Sequence, residues 1–242
     1  GAGYYLAKNK IPCVYLQNSG LGNAINPLSS ICHRSVYSIP LLMLVGWRGS
    51  PFSSRDEPQH EVMGKITREM LSLLNIKNCV IRNERDFKKV EKLIKFSKNN
   101  KVPVAVLIEK NIFKKTKNLI KLKKNSYVSR SEFLKKLLIK IKKKTNLVST
   151  TGYTSRELLQ IRNDLNFKKG KDFYMVGGMG HSSILASGYA MAKKSRDVIC
   201  IDGDGSLLMH LGSLLTNTRL KNKNFKHILL NNFSHQSVGG QK

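Results

Sequence analysis

Two segments, VICIDGDGS at residues 198–206 and ILLNN at residues 228–232, share one pattern, in which an apolar run passes directly into polar residues. Such apolar runs predict buried strands of a parallel sheet. Leucines recur between the two segments at helical spacing: Leu207, Leu211, Leu214 and Leu215. The segment therefore predicts strand, loop, helix, strand. Because the helix returns the chain to the same edge of the sheet, we expect Asp204 and Asn232 to lie close together.

A carboxylate and an amide oxygen at one sheet edge suit Mg²⁺, a hard ion that takes oxygen ligands and often shares them with a phosphate. Gly203 and Gly205 flank Asp204 and would let the backbone approach that phosphate closely. For Gly-Asp-Gly alone, an ordinary turn between strand and helix is the alternative. The second polar cluster, Asn231-Asn232, favours the metal site.

The composition is that of a globular chain with an unusual charge. The 242 residues have a hydrophobic content of 40% and a formal net charge of +28. No run of about 18 apolar residues and no signal-like start occur, so we expect no membrane span and a cytoplasmic protein. The start at Gly1 and the end at Lys242 lead us to expect a fragment truncated at both ends.

The basic residues mostly fall on predicted helix faces and in one linker, without regularly interleaved aromatic residues. We therefore expect no specific nucleic-acid partner, although weak binding to polyanions at low salt is expected. The four cysteines are far apart and form no CxxC pair. Their spacing predicts reduced cysteines and argues against a disulfide framework or a zinc site.

Strand and helix patterns alternate along the whole chain, which predicts an α/β fold of two doubly wound parallel-sheet domains, both incomplete at the chain ends. Periodicity weakens and Lys accumulates from residue 111 to residue 128. We therefore expect a first domain at residues 1–112, a Lys-rich linker at residues 113–128 and a second domain at residues 129–242. Polar loops after the predicted strands mark the expected ligand-binding edge of each sheet.

Several motifs follow one another along essentially the entire chain. They are Gln17 to Pro27 with Tyr37-Ser38-Ile39-Pro40, Gly46-Trp47-Arg48-Gly49, Asp56-Glu57-Pro58-Gln59-His60, Thr151-Gly152 with Ser155-Arg156-Glu157, Met179-Gly180-His181, Asp202 to Ser206, and Ser237-Val238-Gly239-Gly240-Gln241. Their order resembles the phosphonopyruvate decarboxylase family of thiamine diphosphate-dependent enzymes. The related sulfopyruvate decarboxylases share the Asn18 to Asn23 turn and the Asp202 to Ser206 motif. The segment Trp47-Arg48-Gly49 followed by Asp56 to His60 is more similar to the phosphonate enzyme.

The resemblance implies a pyrimidine-binding first domain, a diphosphate- and Mg²⁺-binding second domain, and thiamine diphosphate with Mg²⁺ as cofactors. The implied reaction is decarboxylation of 3-phosphonopyruvate to phosphonoacetaldehyde and CO₂ in phosphonate biosynthesis. It also implies a homo-oligomer with active sites between subunits. Sulfopyruvate decarboxylase and an inactive thiamine diphosphate-binding fragment or subunit are the alternatives.

By resemblance, the metal ligands are Asp204, Asn232 and the backbone carbonyl of Ser234. The interval to the Asn pair is one residue longer than is usual in the superfamily, so Asn231 stays an alternative to Asn232. Two residues are expected near the thiazolium and pyrimidine rings: the Met179 side chain between them and the Gly177 carbonyl on the 4'-amino group. The other cofactor-binding candidates surround the diphosphate: Thr151, Gly152, Gly203, Gly205 and Ser206.

Arg48 is the first candidate for the substrate phosphonate, because its planar guanidinium suits a multiply charged oxygen group. An exposed loop arginine is the alternative. Asn18 and Ser19 are further substrate-binding candidates, with a turn-forming role as the alternative. His60 and His235 are the candidates for proton transfer or phosphonate contact, since histidine titrates near neutrality; a structural histidine is the alternative for each.

The sequence departs from the family pattern at the site itself. The family's catalytic Glu, which protonates the aminopyrimidine ring, is expected just upstream of Gly1. Phe233 stands beside the expected metal ligand, where relatives usually have a small residue, and we expect it to crowd the site or to shift the loop. These departures motivate the alternative of an inactive cofactor-binding subunit.

Overall fold

The structure is a computed structural model that describes residues 1–113, 127–166 and 172–235. The chain divides into two compact units, Gly1–Lys121 and Leu122–Lys242. Most of the expected linker at residues 113–128 lies outside the described residues, so its boundaries stay a prediction. Within the described ranges, the longest and most apolar helices fall short of what a bilayer crossing requires.

Unit 1 is an α/β unit built on a parallel sheet of four strands in the order β1-β2-β4-β3. Its strands are β1 (Cys13–Gln17), β2 (Leu42–Gly46), β3 (Lys77–Ile81) and β4 (Val104–Ile108). Its helices are α1 (Ala2–Lys8), α2 (Leu21–Ser29), α3 (Pro58–Leu73) and α4 (Phe87–Asn100). The apolar strand runs form the centre of one core with Leu21, Trp47 and Leu71.

Unit 2 repeats this architecture with a parallel sheet of four strands in the order β6-β5-β7-β8. Its strands are β5 (Asn146–Ser149), β6 (Phe173–Tyr174), β7 (Val198–Gly203) and β8 (Phe225–Leu230). Its helices are α5 (Arg130–Lys140), α6 (Tyr153–Asp164), α7 (Ser182–Ala192), α8 (Asp204–Met209) and α9 (Ser213–Leu220). Successive strand residues point to opposite faces of this sheet, so they form two hydrophobic cores. One core includes residues of α5 and α6, and the other includes residues of α7.

The predicted α/β class with two parallel sheets is confirmed. The single helix predicted between β7 and β8 is wrong, because the chain forms the two short helices α8 and α9 there. His210 leaves the helical conformation at φ −138°, and Gly212 precedes α9. Leu211 and Leu215 are consequently exposed rather than part of one apolar helix face.

A close backbone contact in unit 1 fixes the loop that follows β2. Gly64, in α3, lies so near Gly49 that a Cβ atom at position 64 would overlap the Gly49 carbonyl group. Gly49 itself has a positive φ of 67°, which favours glycine. The buried Trp47 indole donates a hydrogen bond of 2.8 Å to the Gly64 carbonyl oxygen. Glycine at both positions therefore allows α3 to hold the loop that carries Arg48.

Candidate active site

The strands of unit 2 end around a pocket of about 400 Å³ at the carboxyl edge of the sheet. Four segments following β5, β6, β7 and β8 contribute to it, as expected for an open parallel sheet. Nine of the residues predicted from the sequence line it: Thr151, Met179, Gly203, Asp204, Gly205, Ser206, Asn232, Ser234 and His235. Gly152 and Gly177 lie in the adjoining turns with positive φ values of 96° and 80°. The sheet topology thus brings these dispersed residues together.

Asp204 joins the ends of the two strands that frame the pocket. One carboxylate oxygen accepts a hydrogen bond from the Asn232 backbone N–H at 3.1 Å, and the other accepts from the Gly205 N–H at 2.8 Å. The Asn232 side-chain oxygen accepts from the Ser234 N–H at 3.0 Å. Carboxylate, amide and carbonyl oxygens at one pocket edge fit the ligand set that Mg²⁺ takes. Asn231 also lines the pocket, so both asparagines remain candidates.

Ser206 lies at the centre of a buried hydrogen-bond cluster beneath the pocket. Its hydroxyl oxygen accepts from the Thr150 hydroxyl at 2.9 Å and from the Gly180 N–H at 3.0 Å. The Thr151 hydroxyl oxygen accepts from the Gly177 N–H at 3.0 Å. These bonds tie together the loops after β5 and β6 and the first turn of α8. The cluster holds the backbone of the expected diphosphate-binding segments in place.

Met179 and His235 meet at the pocket wall, with 3.2 Å between the Met179 Sδ and the His235 Nε2. A Cβ atom at Gly205 would lie 2.8 Å from the His235 ring. Position 205 therefore leaves no room for a side chain unless the ring moves.

Replacing Gly205 with alanine should displace the His235 ring and fill part of the pocket, while the fold is kept because a side chain rather than backbone must move. We expect the Kd for thiamine diphosphate at saturating Mg²⁺ to rise about tenfold, or about 1.4 kcal/mol. Isothermal titration calorimetry measures this change. Gly188→Ala on α7, where a Cβ atom meets nothing within 4 Å, is the matched control. Equal Kd values for the two variants would show that Gly205 does not border the cofactor.

Phe233 does not crowd the pocket. Its side chain is 69% exposed, and it is absent from the residues that line the pocket. Its φ of 56° lies in the left-handed region, which disfavours a bulky residue. Of the two expected effects of Phe233, crowding of the pocket is not observed, and a shift of the loop stays a prediction. The left-handed conformation gives a physical reason for small residues at this position.

Sequence reasoning missed several side chains that line the pocket, among them Arg130 and Tyr153. Arg130 donates two hydrogen bonds to the Glu157 carboxylate, at 2.9 Å and 2.5 Å. Its guanidinium lies 5.7 Å from the centre of the Tyr153 ring. Arg130 begins a helix and does not follow a strand. A pattern based on polar residues at strand ends therefore does not predict it.

Arg48 in unit 1 is held by a carboxylate. The guanidinium donates two hydrogen bonds of 2.6 Å to Asp56, and Glu57 lies 3.8 Å away. Asp56 also accepts from the Gly49 N–H at 2.9 Å. These bonds, with Arg48 contributing most, hold the pKa of Asp56 well below its usual range. The Arg48 side chain is about one-third exposed, so part of it is accessible to a second anion.

Asn18 and Ser19 are engaged within unit 1. The buried Asn18 amide donates to the Arg48 carbonyl at 2.8 Å and to the Thr67 hydroxyl at 3.0 Å, and it accepts from the Arg48 N–H at 3.1 Å. Asn18 therefore connects the end of β1 to the Arg48 loop and to α3. The Ser19 hydroxyl accepts from the Gln17 side chain at 2.7 Å. This geometry favours the turn-forming alternative for both residues.

His60 is buried beside the Arg48 loop, at the start of α3. Its ring Nδ1 has no hydrogen-bond partner among the described residues. Burial, together with the positive charge of Arg48, lowers the pKa of His60. The lowered pKa favours the neutral ring near neutral pH, with Nδ1 buried. Unit 1 thus combines an anchored arginine with a neutral histidine.

Comparison with known proteins finds a family match in unit 2. Residues 151–242 match the family "Thiamine pyrophosphate enzyme, C-terminal TPP binding domain". This match covers most of the pocket described above. It implies thiamine diphosphate as the cofactor of this domain.

The particular relatives are decarboxylases of 2-oxo acids. The chain is 33% identical over 251 residues to phosphonopyruvate decarboxylase of Streptomyces viridochromogenes, covering 95% of this chain and 60% of the relative. It is 32% identical over 247 residues to phosphonopyruvate decarboxylase of Streptomyces hygroscopicus, covering 95% and 59%. Sulfopyruvate decarboxylase subunit beta of Methanococcus maripaludis is 41% identical over 87 residues, covering 36% and 44%. The chain thus spans about 60% of the length of the two phosphonopyruvate decarboxylases.

Proposed function

We propose that the protein catalyses the decarboxylation of 3-phosphonopyruvate to phosphonoacetaldehyde and CO₂, with thiamine diphosphate and Mg²⁺. The observation that carries this proposal is the strand-end pocket in which Asp204 meets Asn232, within a chain that is homologous to phosphonopyruvate decarboxylases over 95% of its length. When bound, thiamine diphosphate supplies an electron sink for the charge left by the departing CO₂.

In this proposal the chain's own residues hold the cofactor from several sides. Asp204, Asn232 and the Ser234 carbonyl bind the Mg²⁺, with Asn231 as the alternative amide. Ser206 and Thr151 fix the glycine-containing turns whose backbone approaches the diphosphate. The residues at the pocket wall, Met179 and His235, contact the rings or the substrate. The oxygen donors and the pocket that they line support this assignment.

The proposed phosphonate site is in unit 1. Arg48 would bind the phosphonate oxygens through the face that Asp56 leaves free, and His60 would move or hold a proton at Nδ1. Asp56 and Asn18 act as positioning residues, since both hold the Arg48 segment through hydrogen bonds. We further propose a cytoplasmic homo-oligomer with active sites between subunits, acting in phosphonate biosynthesis. The four free cysteines are consistent with a reducing compartment.

Sulfopyruvate is the second candidate substrate. The 41% identity to a sulfopyruvate decarboxylase subunit over 87 residues favours it specifically. A sulfonate carries one negative charge and a phosphonate carries up to two, so the Arg48 site should bind the phosphonate more strongly.

The test measures CO₂ release by the full-length protein with Mg²⁺, thiamine diphosphate and either 3-phosphonopyruvate or 3-sulfopyruvate. We expect cofactor-dependent release with a higher kcat/KM for the phosphonate. A preference for the sulfonate would reassign the substrate. Cofactor binding without release from either compound would leave the alternative of an inactive thiamine diphosphate-binding protein.

Arg48→Lys tests the phosphonate site. Lysine keeps the charge but loses the planar pair of donors, so we expect KM for phosphonopyruvate to rise about tenfold, with a smaller change in kcat. Steady-state kinetics with both substrates measures the effect, which should be larger for the phosphonate. Arg85→Lys, an exposed substitution in the same unit, is the control. If KM stays at the wild-type value, Arg48 does not bind the phosphonate.

A further inference from the structure

A second group of potential metal ligands lies inside unit 2, on the α7 side of the sheet. The Cys200 Sγ, one Asp202 carboxylate oxygen and the His227 Nε2 all lie within 4.8 Å of one another. Cys200 and Asp202 are two residues apart on β7 and share a face, and His227 lies opposite Cys200 in the register of β8. The strand pairing therefore builds this group, which is separate from the Asp204 pocket.

The polar atoms of this group lack the partners that buried polar atoms normally have. Asp202 is fully buried, and within the described residues its Oδ2 and the His227 Nε2 each have no hydrogen bond. The other Asp202 oxygen accepts from the Gly203 N–H at 3.0 Å. The Ser182 hydroxyl, at the start of α7, lies beside Cys200 and Asp202 and, among the described residues, is also buried without a hydrogen-bond partner. Three side chains, Asp202, His227 and Ser182, thus have unpaired polar atoms beside the buried Cys200 thiol.

The spacing of these atoms fits a tetrahedral metal site better than a direct ion pair. The Asp202 Oδ2 and the His227 Nε2 are 3.4 Å apart. Charge-assisted hydrogen bonds are shorter, at about 2.7–2.9 Å. In a tetrahedral zinc site with bonds of about 2.0–2.2 Å, nitrogen and oxygen ligands lie about 3.3–3.5 Å apart.

We propose that Cys200, Asp202 and His227 bind a structural Zn²⁺ ion, with the Ser182 hydroxyl or a water molecule at the fourth position. A thiolate and an imidazole favour Zn²⁺ over Mg²⁺, which takes oxygen ligands. The two positive charges of the ion balance the thiolate and the carboxylate, so no uncompensated charge is left in the core. Burial raises the pKa of the Cys200 thiol in the metal-free protein, so zinc binding must release its proton.

The zinc ion would link β7 to β8 directly beneath the two strand ends that carry Asp204 and Asn232. Its role is therefore structural, and it goes beyond the proposed decarboxylation. This proposal differs from the sequence prediction, in which the cysteine spacing argues against a zinc site, because a single cysteine with an aspartate and a distant histidine has no CxxC signature. Only the register of the strands brings the three residues together.

The experiment measures the zinc content of the full-length protein, produced without a histidine tag and dialysed against a weak chelator. We expect about one Zn²⁺ per chain by plasma mass spectrometry, and loss of the ion in Cys200→Ser and in His227→Gln. Cys32→Ser, a buried cysteine of unit 1, should keep the ion and serves as the matched control. Asp204→Ala should also keep zinc, which separates this site from the proposed Mg²⁺ site.

A second measurement covers the case in which the variants fold poorly. After removal of zinc from the wild-type protein, Co²⁺ should restore the thermal unfolding midpoint, whereas Mg²⁺ should not. The Co²⁺-loaded protein should also show a thiolate-to-metal absorption band. Wild-type protein that holds no zinc and takes up neither Zn²⁺ nor Co²⁺ would overturn the proposal. Zinc retained at the wild-type level in Cys200→Ser would overturn it as well. Neither result would bear on CO₂ release.

Discussion

Asp204→Ala should reduce kcat/KM for CO₂ release by at least about a hundredfold, equivalent to about 2.7 kcal/mol of lost transition-state stabilisation. The carboxylate is the one anionic ligand in the proposed Mg²⁺ set. It also accepts a hydrogen bond from the Asn232 N–H, and this bond connects the ends of β7 and β8. Alanine removes both the ligand charge and this connection. Thiamine diphosphate should then bind weakly, because its diphosphate loses the metal that neutralises it.

Two readouts separate this effect from a loss of folding. Mg²⁺-dependent binding of thiamine diphosphate should weaken in calorimetry, while the far-ultraviolet circular dichroism spectrum should stay that of the wild type. Asp197→Ala is the matched control, because Asp197 is an acidic residue of the same unit just before β7, at the opposite end of that strand. Wild-type activity and Mg²⁺ dependence in Asp204→Ala would remove the metal assignment.

Gly64→Ala should destabilise unit 1 by about 3 kcal/mol or more. The added Cβ atom would overlap the carbonyl group of Gly49, and this obstacle is backbone that cannot rotate away. Gly49 is held in turn by its hydrogen bond to Asp56, and α3 is held by the bond from the Trp47 indole to the Gly64 carbonyl. Relief of the overlap therefore requires α3 or the Arg48 loop to move.

Denaturant unfolding of the wild type and the variant measures this difference. The matched control is Gly22→Ala, another helical glycine of unit 1, where a Cβ atom meets nothing within 4 Å. This control should change stability by no more than about 1 kcal/mol, in the stabilising direction, because alanine is the better helix former. Similar stabilities for the two variants would mean that α3 and the Arg48 loop are less close than the structure shows.

The part of the site that follows from backbone topology was predictable from the sequence. Parallel strands separated by helices bring their carboxyl ends to one edge of the sheet, so the sequence predicts that Asp204 and Asn232 meet. The domain fold followed from the same alternation of strand and helix patterns. These are properties of local sequence patterns and of chain connectivity.

The parts that depend on tertiary contacts were not predictable in this way. Leucine spacing predicted one helix between β7 and β8, but spacing does not reveal that Leu211 and Leu215 remain exposed or that the helix breaks near Gly212. The bonds from Asn18 to the Arg48 loop require contacts between residues 30 positions apart. The group formed by Cys200, Asp202 and His227 depends on strand register, which the apolar pattern of a strand buried on both faces does not specify.

The position of β8 at the edge of the sheet affects how the proposed Mg²⁺ site would respond to the binding of Mg²⁺ and cofactor. Within the described residues, β8 is the edge strand of its sheet and is bonded to β7 on one side. Edge strands fray more readily than inner strands, and local opening of this kind is seen in amide hydrogen exchange. Asn231 and Asn232 directly follow β8, so binding of Mg²⁺ and cofactor should slow amide exchange in β8 more than in the inner strand β5. Part of the binding free energy would then go into ordering the end of β8.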